Sequence, residues 1–162
     1  MFVYGLMYRN RNRMHTNSLI MEMVEQICIS LVLKQSKLDL DNRLALIILD
    51  NVAEVALKSY ANIHGLLKKR VVTSKEAFSS VLGKIKDQNK LVNSEKKDIQ
   101  KYHKICNELY RGSKLTKLKD STIDQYAVLA KILLARLYDF RASKFEWEKM
   151  INDTRKNLAK FG

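Results

Sequence analysis

Leu19-Ile20-Met21-Glu22-Met23-Val24-Glu25-Gln26-Ile27-Cys28-Ile29-Ser30-Leu31-Val32-Leu33 is the stretch on which the fold turns. Leu19, Met23, Val24, Ile27 and Leu31 recur at steps of three and four, which places them on one face of an amphipathic helix. A bilayer span needs about 20 apolar residues; this run is shorter and carries Glu22 and Glu25. A packed helix is therefore expected from Ser18 onward, and no membrane-spanning segment.

The same period continues outward from it. Asp39 and Asp41 offer N-cap oxygens for a longer helix whose inward set is Leu44, Ile47, Ile48, Val52, Val55, Ala56, Tyr60 and Ile63. Gly65 or the Lys68-Lys69-Arg70 cluster marks its end, where cations complement the helix dipole. Thr73-Ser74-Lys75-Glu76 has the capping-box form, and Phe78, Val81, Leu82 and Ile85 follow at helical spacing. Asn93-Ser94 is expected to cap the next helix, with Ile99, Tyr102, Cys106 and Leu109 in one stripe and Gly112-Ser113 as its break. Ser121-Thr122-Ile123-Asp124 is expected to cap a fifth segment that turns Tyr126, Ala127, Ala130, Leu133, Leu134, Leu137 and Tyr138 inward. An extension then runs through Phe145, Trp147, Ile151 and Leu158.

No strand alternation persists beyond a few residues, the nearest case being Val71-Val72. The absence of proline and the presence of five glycines in 162 residues also speak against a turn-rich β-architecture. The expected fold is all-α: a helical bundle of four main helices with a C-terminal helical extension. It forms one domain over residues 18–162, preceded by a basic N-terminal arm, residues 1–17, without sustained period.

Composition narrows the function classes. Hydrophobic residues make up 46% and charged residues 29%, a globular rather than disordered balance. Cys28 and Cys106 give no disulfide framework, and Arg9, Arg11 and Arg13 follow the apolar start instead of preceding it, unlike a signal peptide. A reduced, cytoplasmic protein is expected. The net charge of +13 favours RNA or an acidic protein as partner. From His64 to Asp120 there are 15 Lys/Arg against 6 Asp/Glu, so the excess concentrates there.

Catalytic signatures are sparse. His15, His64, His103 and the two cysteines lack the short spacing of zinc ligands, and no phosphate loop or nucleophile elbow occurs. No metal and no cofactor are expected. Asp50 and Glu54 stand one helical turn apart without a Glu-x-x-His partner, and read as a polar, partly exposed helix face. The basic run Lys96, Lys97, Lys101, Lys104, Arg111, Lys114, Lys117 and Lys119 reads either as a polyanion surface or as a solubilising face. Tyr102 and Tyr110 are interleaved in it, and tyrosine rings stack on unpaired bases. Within that surface Lys101, Lys104, Tyr110, Arg111 and Lys114 are the expected nucleic-acid contacts.

One segment, Tyr102-His103-Lys104-Ile105-Cys106-Asn107-Glu108-Leu109-Tyr110-Arg111-Gly112, resembles the signature of the HEPN superfamily, helical-bundle proteins many of which are RNases or toxin components. The family pattern is Arg, usually then Asn, a short polar-aromatic spacer, and His near a helix end. Asn107 and Glu108-Leu109-Tyr110 agree with it; Cys106 stands where the family has Arg, and Arg111 where it has His. The acidic-apolar helix Leu44–Glu54 is also similar to an early helix of these proteins.

The resemblance implies a homodimer that faces two such motifs across its seam and cleaves RNA without metal, through 2′-hydroxyl attack. A histidine can shuttle that proton, whereas the Arg111 guanidinium stays charged, and Cys106 cannot clamp phosphate. The expectation is a HEPN-like RNA- or polyanion-binding homodimer, its ribonuclease activity lost or weakened, serving as a regulatory, defence or toxin–antitoxin component. The alternatives are an active metal-independent endoribonuclease, with His103 as displaced base beside Arg111, and a protein-interaction scaffold. His103, Asn107 and Arg111 recur at i, i+4 and i+8, so they share one helix face.

Overall fold

Alanines decide how the bundle closes. Ala45, Ala53, Ala56 and Ala61 are fully buried along α2 (Asp39–Ile63), letting neighbouring helices approach its backbone. The computed structural model describes the backbone of residues 2–67, 78–111 and 118–160, and their side chains from residue 16. Around α2 pack α1 (Phe2–Lys34), α3 (Phe78–Asp87), α4 (Asn93–Tyr110) and α5 (Asp120–Tyr138), while α6 (Trp147–Leu158) lies on α1. A 3-10 turn, Ala142–Lys144, joins α5 to α6. Among the described residues the chain is all-helical, without a strand.

Met23, Val24, Ile27 and Cys28 of α1 are buried at the seam with α2 and α5, matching the period read there. Thr16–Lys34 is nevertheless long and apolar enough to cross a bilayer by length and composition. The helix begins sixteen residues before Ser18, because α1 starts at Phe2; the segment read as aperiodic is helical backbone continuous with α1.

α2 differs more. Val52, Ala56 and Tyr60 are buried as expected, but Leu44 and Ile63, expected inward, are exposed, and the buried set also takes in Ala45, Leu46, Leu49 and Leu57. Leu44–Leu49 is apolar all round, so its period does not define one face. Asp39 opens the helix as expected, but its carboxylate accepts from Arg43 and from the Leu118 backbone N–H instead of capping. Gly65, at φ +66°, turns the chain directly after α2, a conformation that suits glycine.

α4 begins at Asn93, with Val92 as N-cap, whose backbone N–H donates to the Glu95 carboxylate at 3.0 Å. α5 ends where Asp139 adopts φ +53°. The C-terminal extension is therefore a separate helix that folds back, not a continuation of α5. The capping box at Thr73–Glu76, the Val71-Val72 pair and Lys114 lie outside the described residues.

Candidate functional site on helix α4

Successive residues of an α-helix are rotated by about 100°. On α4 this sets Tyr102 and Cys106 toward the core, both buried, and turns His103, Asn107, Lys104 and Tyr110 toward the outer side. His103 and Asn107 meet on the rim of a cleft of about 290 Å³, lined also by Phe78, Ser79, Gln100 and Lys104. Arg111, the C-cap residue of α4, is exposed at the end of the same stripe. The shared face read from the sequence is thus present, with two of its three members in the cleft.

Behind the cleft stands a buried carboxylate. Asp50 is 5% exposed, which a lone charge would not tolerate. Its Oδ1 accepts the Tyr126 hydroxyl at 2.7 Å, and its Oδ2 lies 2.9 Å from His103 Nδ1. A carboxylate oxygen there accepts, so the donor is the His103 Nδ1–H. The His103 ring stacks on Phe78 with centroids 4.1 Å apart, which fixes its plane. Burial first, and then the Asp50 charge and hydrogen bond, hold the Tyr126 hydroxyl well above the ordinary tyrosine range, so it remains a donor.

Several expectations change here. Asp50, read as part of a partly exposed polar face, is buried, and only Glu54 keeps partial exposure. Its own setting held a signal, since it interrupts the inward row of Leu46, Leu49, Val52 and Ala53. Tyr126, Phe78 and Ser79 complete the site from α5 and α3, and nothing in their local sequence marks them for it. Tyr102 is stacked on Tyr126 at 4.4 Å and donates to Gln125, so it is a core ring without a face for bases. Tyr110, 69% exposed, keeps that capacity. Lys101 is exposed, its ammonium 5.5 Å from the Tyr102 ring centroid.

Cys106 and Arg111, the two positions that depart from the HEPN pattern, lie five residues and hence about 140° apart on the helix. Cys106 is fully buried, its thiol 3.6 Å from the Leu46 carbonyl, and burial followed by the Asp50 charge pushes the thiol far up. It is a small core residue, not a nucleophile. No family model, no curated protein and no solved structure matches the chain. The residues themselves therefore carry the functional reading.

Proposed function

We propose that the protein binds RNA through the outer stripe of α4, as a HEPN-like bundle whose ribonuclease chemistry is lost or weakened. One observation carries this reading: Lys104, Asn107, Tyr110 and Arg111 are all exposed along one side of α4, while Cys106 faces the core. Cations there contact phosphates and the Tyr110 ring stacks on an unpaired base. Of the remaining expected contacts, exposed Lys101 flanks the stripe.

Titration of single-stranded RNA at two salt concentrations tests it. Binding should weaken as salt rises, and Lys104→Ala with Arg111→Ala should each lower the salt slope by about one. Salt-independent binding, or none at low salt, refutes the phosphate surface; capture of an acidic protein in its place would favour the scaffold. The homodimer belongs to the same reading, and a monomeric mass in light scattering at micromolar concentration would remove it.

A second reading has its own support. Asp50 orients His103 at the edge of a cleft, the arrangement of a general base. Metal-independent cleavage would then show as 2′,3′-cyclic RNA ends formed in EDTA and abolished by His103→Ala. Intact RNA after prolonged incubation leaves the binding reading standing alone.

A further inference from the structure

Asp50 and Glu54 project from α2 one turn apart, and α4 brings His103 against them, so each residue's ligand atom lies within 4.8 Å of the others. From this juxtaposition we propose that Asp50, Glu54 and His103 bind a divalent transition-metal ion, with Zn²⁺ as the type case. This third ligand is what the sequence spacing lacked.

The donor set selects the metal class. An imidazole nitrogen beside two carboxylate oxygens suits zinc and its neighbours, whereas calcium and magnesium favour oxygen alone. A tetrahedral ion with bonds of about 2.0–2.1 Å sets its ligands about 3.3 Å apart. Asp50 Oδ2 and His103 Nδ1 stand 2.9 Å apart already, so Glu54 makes most of the adjustment. Glu54 is the member with room to adjust: it is only partly buried, and its partner Lys58 is an exposed i,i+4 neighbour whose ion pair costs little to give up.

The surroundings match those of a metal ligand pair. Ligating carboxylates and imidazoles are held by further partners, and here Tyr126 holds Asp50 Oδ1 while Phe78 holds the imidazole plane. Neither is itself a ligand. The ion takes the Nδ1 position now turned to Asp50, and the single ring proton passes to Nε2. Three protein ligands leave a fourth position for water.

Zn²⁺ calorimetry and Co²⁺ absorption on the full, reduced chain test the site. One equivalent should bind and raise the thermal midpoint. Glu54→Gln and His103→Gln should each weaken binding by about tenfold or more, and Tyr126→Phe by about tenfold. Glu54 is only partly buried, so Glu54→Gln remains informative even if His103→Gln fails to fold. Wild-type affinity in a folded Glu54→Gln overturns the site, as does no binding at micromolar Zn²⁺. A cobalt–thiolate charge-transfer band overturns it too, by placing the ion at Cys28 or Cys106. RNA affinity of the Lys104 and Arg111 variants is read separately and is independent of these results.

Discussion

The Tyr126 hydroxyl donates 2.7 Å to Asp50 Oδ1, and this bond joins α5 to α2 inside the bundle. Among the described residues it is joined by His103 on α4 as a partner of this carboxylate, which is nearly closed to water. Three helices therefore meet at one buried polar junction. Removing a donor there leaves the carboxylate under-compensated, and the cost exceeds that of a surface hydrogen bond. Tyr126→Phe keeps the ring stacked on Tyr102 and deletes only the hydroxyl. It should lower stability by about 1.5–3 kcal/mol, read as a shift in the urea midpoint at unchanged slope. A change within experimental error would mean that water already satisfies Asp50.

Alkaline pH should unfold the bundle earlier than its surface charges alone would. Burial, the largest cause, pushes the Cys28 thiol from 9.0 up to about 11. A thiol whose folded pKa is raised contributes stability that is complete below the unfolded value and is lost as pH rises through the folded one. The window is therefore pH 9 to about 11. At about 1.4 kcal/mol per unit, Cys28 alone accounts for a loss of about 2–3 kcal/mol across it. The buried Tyr126, Tyr138 and Cys106 groups are also raised, chiefly by burial, and steepen the fall. Denaturant titrations at both ends of the window measure the drop, and Cys28→Ala should flatten it. An unchanged pH slope in that variant would assign the loss to Cys106 and the tyrosines.

Much of this arrangement was legible in the chain. The three- and four-residue recurrence at Met23, Val24 and Ile27 located the α1 seam, and Ile99, Tyr102 and Cys106 located that of α4. Periodicity failed where apolarity ran round the whole helix, at Leu44–Leu49, because six consecutive apolar residues define no single face. For the site, spacing along α4 placed His103 and Asn107 together, since i and i+4 neighbours share a face in any α-helix. It could not place Asp50 or Tyr126 beside His103. Those residues are 53 and 23 positions away in sequence, and tertiary packing alone joins them.

Placing the HEPN-pattern residues at 106 and 111 separates the two positions. Arg111 is exposed at the α4 C-cap, so Arg111→His should change stability by no more than about 0.5 kcal/mol. Cys106 has no exposed surface, so Cys106→Arg forces a long charged side chain into a filled core. Its cost should exceed about 3 kcal/mol. Arg111→His alone is therefore the cleaner test of whether RNA cleavage appears, and the double variant should be the less stable protein. A double variant as stable as wild type would show that the core around position 106 admits an arginine.

Docking of α6 rests on the single tryptophan. Trp147 Nε1 donates to the Ala142 carbonyl at 2.8 Å, its ring meets Phe145 edge-on at 4.9 Å, and the Lys131 ammonium lies 4.2 Å from its centroid. At the far end of α6, Arg155 donates to Gln35 just beyond α1. These contacts are partly solvent-exposed, so α6 should open at lower denaturant than the α1, α2 and α5 core. Trp147 fluorescence reports that opening, and circular dichroism reports the core. The fluorescence transition should precede the loss of helix, and Arg155→Ala should widen the gap by destabilising α6 alone. Coincident transitions in both proteins would instead make α6 an integral part of one cooperative unit.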